Sequence, residues 1–308
     1  MTNKKIYISG HNGLLGSSVL KKANTDYEDI ITASREELDL MDLNQVEKFF
    51  LKNKPNYVVH CAAKAGGIMA NKLDPYGYFN QNNIIQSNCI NTAFKNNVEK
   101  FVFISSTCIY PKEAKQPMRE EYLLTGPLSE ETRPYCIAKI AGMELLSSLF
   151  RQHKFKSLSI MLPNLYGPND HYGDDSNHVI PALIQRFVDA KENLKKSVVV
   201  WGSGQSIREF LYTDDAADGI LFLMENYASD TPINLSSTEN INIKDLALLI
   251  AEIIGYQGDI KFDSSKPEGA PKKISDSSKI NSLGWKSKTP IENGLKKTIE
   301  DYYIRYYS

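Results

Sequence analysis

The chain has 308 residues, with 36 Lys and Arg against 37 Asp and Glu and a net charge of −1. That length supports one large or two modest domains, and the balanced charge lacks the electrostatic footprint of a nucleic-acid or membrane-surface protein. Cys61, Cys89, Cys108 and Cys136 form no CxxC pair, which argues for a reducing compartment and against structural zinc. No signal-peptide pattern and no run of about 20 apolar residues is visible, so the expected location is the cytoplasm.

The first β-prone run, 5–9, leads at once into Gly10-His11-Asn12-Gly13-Leu14-Leu15-Gly16 and an amphipathic stretch over 15–22. Strand, glycine turn and helix in that order let the backbone approach a pyrophosphate at a helix N-terminus. A bare glycine turn between strand and helix reads the same way. Further strands at 29–33, 57–61, 101–105 and 157–162 alternate with helical periodicity. This is the α/β pattern of a doubly wound parallel sheet, covered on both faces. At the end of the second strand, Thr32-Ala33-Ser34-Arg35 offers one cation and no acid. An NAD-preferring site places a carboxylate there, so NADPH is expected, with Arg35 near the extra phosphate.

The fourth strand runs Phe101-Val102-Phe103-Ile104-Ser105-Ser106-Thr107-Cys108 and ends in hydroxyls and a thiol. Ligands of open parallel sheets sit beyond the carboxyl ends of the strands, which aims Ser106 at substrate unless it merely caps the strand. Tyr135 and Lys139 are four residues apart and share a helix face. An ammonium beside a phenol lowers its pKa from about 10, making Tyr135 a candidate general acid with Ser106 sharing the same carbonyl oxygen.

Beyond residue 165 the texture changes. Residues 163–170 are turn-rich and the segment to 179 is polar and irregular, marking a boundary or a substrate-facing loop. A helix at 181–190, a strand at 197–201, a loop, and helices at 214–225 and 243–254 follow. Two domains are expected: 1–165, joined by part of 205–225, and a smaller 166–308.

Several blocks carry a family resemblance: the glycine loop, Ala62-Ala63-Lys64-Ala65-Gly66-Gly67-Ile68-Met69-Ala70-Asn71, Cys108-Ile109-Tyr110-Pro111-Lys112, Tyr135 through Gly142, Asn164-Leu165-Tyr166-Gly167-Pro168, Asn177-His178-Val179-Ile180-Pro181-Ala182-Leu183, Trp201-Gly202-Ser203-Gly204, Arg208-Glu209-Phe210-Leu211 and Lys266-Pro267-Glu268-Gly269. With them the chain resembles the extended short-chain dehydrogenase/reductases, and specifically the GDP-L-fucose synthase family. The resemblance implies a Rossmann-type NADP-binding domain and a smaller C-terminal α/β domain for a GDP-sugar. It implies that Ser106, Tyr135 and Lys139 assist hydride delivery to a ketone at carbon 4. Cys108 and His178 would exchange protons at carbons 3 and 5; taken singly, they would read as a small core residue and a loop histidine. Cofactor contacts implied are Gly10, Asn12, Gly13, Leu14, Leu15, Gly16, Ser34, Arg35, Ala63, Lys139 and His178. Substrate contacts implied are Asn164, Arg186, Trp201, Arg208 and Lys266, the cations facing the diphosphate. The family also implies a homodimer formed through a helix bundle, and a role in surface-polysaccharide supply.

The chain departs from the family pattern at Asn12, where Arg is common, at Thr107, at Leu162-Pro163 and at Ser176-Asn177. Those at 107, 162–163 and 176–177 flank the sugar pocket, so a carbon-4 reductase of a related sugar, without epimerisation, is the alternative. A non-catalytic nucleotide sensor would typically have lost Tyr135 or Lys139. A 4,6-dehydratase usually carries an acidic pair where Cys108-Ile109 stands.

Overall fold

The computed structural model describes residues 2–173, 178–266 and 269–307. Through the first half, β1 (Thr2–Ser9), α1 (Leu14–Asp26), β2 (Tyr27–Ile31), α2 (Leu43–Asn53), β3 (Tyr57–His60), α3 (Ile68–Leu73), α4 (Pro75–Lys95), β4 (Lys100–Ser106), α5 (Arg133–His153) and β5 (Ser157–Leu162) alternate. After it come β6 (Asn164–Tyr166), α6 (Val179–Glu192), β7 (Ser197–Trp201), β8 (Ile207–Tyr212), α7 (Thr213–Asn226), β9 (Ile233–Asn234), β10 (Asn240–Asn242) and α8 (Ile243–Ile254). The last elements are β11 (Asp259–Asp263), β12 (Lys272–Lys273), α9 (Ser278–Ser282) and α10 (Ile291–Tyr307).

Six strands form one parallel sheet in the order β2-β1-β3-β4-β5-β9. Its strands alternate by residue between two cores, as a period of two requires. Ile6, Ile8, Val102, Ile104, Leu158 and Ile160 face one core with Leu15 and Val19 of α1 and Ile220 of α7. Tyr7, Phe101, Phe103 and Met161 face the other, against Phe50 of α2, Ile90 of α4 and Leu146 of α5. A third core joins α6, α8 and α10 to β7 and β8 through Ile184, Phe187, Phe210, Ile250 and Leu295.

Two local differences from the sequence reading have physical reasons. The second strand lies two residues earlier than expected, because Tyr27 is buried in the core at the end of α1 while Ser34 is drawn into a turn by Glu37. The segment 202–213, expected as a loop, holds β8, which pairs with β6, β10 and β12. No helix among the described residues is long and apolar enough to cross a membrane.

Candidate active site

At the carboxyl end of β1, Gly10 has φ +71°, and a Cβ there would lie 2.8 Å from the Ala62 backbone after β3. A Cβ at Gly16 would collide with the Gly10 carbonyl. These two positions require glycine by close approach, whereas Gly13 would tolerate a Cβ at 3.4 Å. The Gly13 N–H donates to the Gly10 carbonyl at 3.0 Å, and Gly13 caps α1 without a side chain. The first amides of α1, at Leu14, Leu15 and Gly16, therefore stand at a helix start with no side-chain cap, beside exposed Asn12. This cradle fits a dinucleotide pyrophosphate. Half-buried Ala63 follows β3 on the same edge of the sheet.

Beyond β2, the Ser34 N–H donates to Glu37 Oε2 at 2.7 Å, and the Glu37 N–H returns a bond to Ser34 Oγ at 3.3 Å. The Ser34 hydroxyl also donates to Glu36 Oε2 at 3.2 Å. Acids therefore do stand close to the end of β2. The Ser34 backbone N–H, with the hydroxyl and the nearby His11, holds the Glu37 carboxyl below its usual range. Arg35 is exposed beside this turn.

β4 ends at Ser106, whose Oγ accepts from the Cys108 N–H at 3.2 Å and starts a 3-10 turn over Thr107–Ile109. On α5, Lys139 is 3% exposed and donates through Nζ to the Ile104 carbonyl at 2.9 Å. Its ammonium lies 4.8 Å from the centre of the Phe103 ring and 5.9 Å from that of Tyr135. Burial lowers the Lys139 pKa to about 8, with Cys61 opposing. The expected lowering of the Tyr135 phenol is not what this geometry gives. Burial, reinforced by Cys108, Cys136 and Tyr78, pushes it well up, while the Lys139 ammonium is bonded to a strand carbonyl. Below the site, Ser9 Oγ and His60 Nδ1 are 2.9 Å apart, and burial lowers the His60 pKa to about 3.

The Cys108 thiol has a neighbour that the sequence reading missed. Lys273, on β12, donates through Nζ to Cys108 Sγ at 3.4 Å. Burial alone would raise the thiol, but the Lys273 charge and the bonds to Ser106 and Lys273 bring it below its ordinary value. The Cys136 thiol donates to the Cys108 carbonyl at 3.1 Å. His178 is the N-cap residue of α6. Its imidazole reaches solvent, yet surrounding protein atoms partly desolvate the ring and lower its pKa. The departure at Ser176-Asn177 lies outside the described residues.

A second group of side chains gathers on the C-terminal elements. The Arg186 guanidinium stacks 4.8 Å from the centre of the Trp201 ring, and the Lys266 ammonium lies 5.8 Å from it. Arg186 Nη1 also donates to the Val199 carbonyl at 3.4 Å. Arg208 on β8 stands in register with Lys273 on β12 and donates to the Ile207 carbonyl at 2.9 Å. Asn164 Nδ2 donates to the Glu209 carbonyl at 3.3 Å. The buried Glu209 carboxylate accepts from the Ser237 and Ser275 amides at 3.1 and 2.7 Å, and burial raises its pKa to about 7. Ser106, Cys108, Tyr135 and Lys139 thus form one cluster, which Lys273 joins from β12 in register with Arg208 of β8, while Arg186, Trp201 and Lys266 form a stack of their own.

The model of the NAD dependent epimerase/dehydratase family matches residues 6–242. A GDP-L-fucose synthase of Sinorhizobium fredii is 42% identical over 302 residues, covering 98% of this chain and 96% of the relative. Among solved structures, a GDP-6-OMe-4-keto-L-xylo-heptose reductase of Campylobacter jejuni superposes with TM-score 0.93 at 33% identity, covering 99% of each chain. A GDP-mannoheptose C4 reductase of the same organism, with NADP bound, gives 0.90 at 35% identity over 98% of this chain and 99% of that one.

Proposed function

This chain belongs to the NAD-dependent epimerase/dehydratase family and, within it, to the GDP-L-fucose synthases; from that premise we propose that it reduces carbon 4 of a GDP-4-keto-6-deoxy sugar and inverts carbons 3 and 5 of the same ring. It is an NADP(H)-dependent oxidoreductase. The observation that carries the reading is the shared end of β4: Ser106 and Cys108 lie on one turn, and Tyr135 and Lys139 lie on the helix bonded to that strand.

Residues 10–16 hold the pyrophosphate, with Ala63 and His178 along the same cofactor, and Ser34 and Arg35 take the extra phosphate. NADPH, when bound, supplies the hydride for carbon 4. Tyr135 gives its proton to the oxygen while the Ser106 hydroxyl holds that oxygen in place. A buried phenol with a raised pKa stays protonated at neutral pH, so the proton is in place for transfer as the hydride arrives. Lys139, brought to about 8, titrates close enough to neutrality to return a proton to the phenolate. The ring hydrogens at carbons 3 and 5 are acidic because they flank the ketone. The Cys108 sulfur removes one, and His178 returns one to the opposite face. Arg186, Lys266 and Arg208 supply the cations that a nucleoside diphosphate needs, with Trp201 and Asn164 beside them.

The second reading, a carbon-4 reductase without epimerisation, is favoured by the likeness to the two heptose reductases and by Thr107 and Leu162-Pro163 at the pocket. Incubating the protein with NADPH and a panel of GDP-4-keto hexoses and heptoses, with products identified by NMR, decides between them. A product inverted at carbons 3 and 5 supports the first reading, and retention of both centres supports the second. The proposal includes the cytoplasm, in keeping with four free thiols, a place in surface-polysaccharide supply, and a homodimer. Exposed Tyr76 and Phe79 on α4 and Ile137 on α5 support that dimer.

A further inference from the structure

Lys273 sits on a two-residue strand whose neighbours are held on every side. β12 pairs in parallel with β8, placing Lys272 opposite Ile207 and Lys273 opposite Arg208. The next two amides are fixed by side chains: Ile274 N–H donates to Gln116 Oε1 at 2.8 Å, and Ser275 N–H donates to the buried Glu209 carboxylate at 2.7 Å. Met118 N–H closes onto the Ile274 carbonyl at 2.7 Å. A lysine is ordinarily a flexible point charge on a four-carbon stem. Here its root is anchored, and its tip reaches a sulfur 165 positions earlier in the chain.

The sulfur is equally constrained. Cys108 lies in the turn that Ser106 caps, and its carbonyl accepts the Cys136 thiol. We propose that Lys273 is a positioning residue that acts through Cys108: its ammonium, 3.4 Å from Sγ, holds that sulfur as a thiolate aimed to receive the sugar's ring proton. This rests on the epimerase/reductase reading of the site. The step balances as a proton transfer. The carbon–hydrogen bond beside the ketone breaks, its electron pair enters the enolate, and the proton goes to sulfur to give a neutral thiol. Lys273 keeps its three protons throughout. His178 then gives a proton to the opposite face, and the thiol and imidazole are reset through solvent. A neutral thiol could not begin this sequence, since the thiolate is the reactive base. The thiol's lowered pKa, in a setting where burial acts to raise it, agrees with the geometry.

The test is the pH dependence of Cys108 alkylation by iodoacetamide, read by peptide mass mapping in wild type, Lys273→Met and Lys273→Arg. Burial raises Cys61, Cys89 and Cys136 to about 12, which leaves Cys108 as the fast site. Lys273→Met is expected to move the alkylation midpoint up by about one pH unit, a roughly tenfold loss of rate at pH 7, and Lys273→Arg to restore most of it. Superimposable profiles for wild type and a folded Lys273→Met overturn the proposal. Should Lys273→Met fail to fold, titration of the wild-type thiol decides alone: a midpoint at or above the ordinary value of about 8.5 overturns it, and a lower one supports it. A shifted midpoint in a wild-type enzyme that exchanges no ring proton of any GDP-4-keto sugar supports Lys273 as the partner of a thiolate and instead overturns the epimerase reading.

Discussion

Lys139 donates to the Ile104 carbonyl across 2.9 Å, so the helix that carries Tyr135 is tied to the strand that ends in Ser106. The two hydroxyls are thereby referenced to one piece of sheet rather than to separate loops. Tyr135→Phe removes the proton donor and leaves this tie intact. Reduction of the 4-keto sugar should fall by about 10²- to 10⁴-fold, with NADPH affinity by fluorescence titration nearly unchanged. A variant that reduces at the wild-type rate would show that Tyr135 is not the donor.

Glu209 gives a pH-dependent stability with a definite sign. Its carboxyl is 2% exposed and rises from 4.5 to about 7 on folding, so the native state binds the proton more tightly than the unfolded chain. The stabilisation from this group is fully present below the unfolded value and is lost as pH climbs through about 7. Thermal melting should therefore show the difference between wild type and Glu209→Gln growing in the wild type's favour from pH 7 toward pH 5, by about 1–3 kcal/mol. A pH-independent difference would mean that Glu209 titrates alike in both states.

How much of this was legible depends on whether the cause was local. The bounds of β5, β7 and α8 match the ranges 157–162, 197–201 and 243–254, because each carries its own local apolar pattern: short apolar runs in the two strands and apolar residues at helical spacing in α8. β8 was not legible. Its Arg208 and Glu209 break the strand pattern, and Glu209 is tolerated inside only because the Ser237 and Ser275 amides meet its carboxylate. The Tyr135–Lys139 spacing was visible, but the direction of the phenol's shift was not, since it depends on burial and on neighbours such as Tyr78 from α4. Lys273 stands in no motif that the sequence singles out. Only the pairing of β12 with β8 carries it to Cys108.

Cofactor choice turns on the corner after β2. The Glu37 carboxylate accepts from the Ser34 amide and the Glu36 carboxylate from the Ser34 hydroxyl, which leaves Arg35 exposed as the cation available to an added phosphate. NADPH should give the higher kcat/KM, and Arg35→Ala should raise the KM for NADPH by about tenfold while leaving that for NADH within about twofold. Equal kcat/KM for the two cofactors in wild type would mean that the ribose is read by other groups.

The roles of Cys108 and His178 separate the two functional readings, because ring-proton abstraction needs no hydride. Incubating the 4-keto substrate with enzyme in D₂O, without NADPH, should place deuterium at carbon 3 or carbon 5, detected by NMR or mass. Cys108→Ala and His178→Ala should each cut this exchange by about 10²-fold or more, while Tyr135→Phe, which acts at the carbon-4 oxygen, largely spares it. The direction of pH dependence follows from the two shifts. Cys108 must be deprotonated to accept, so exchange rises with pH through a thiol value below the ordinary one. His178 must be protonated to donate, and its value is lowered, so exchange falls away at both low and high pH. The resulting bell belongs to the pair, not to either residue alone. An enzyme that reduces its sugar at full rate yet incorporates no deuterium above buffer background would be a carbon-4 reductase, with Cys108 and His178 positioning the ring rather than exchanging its protons.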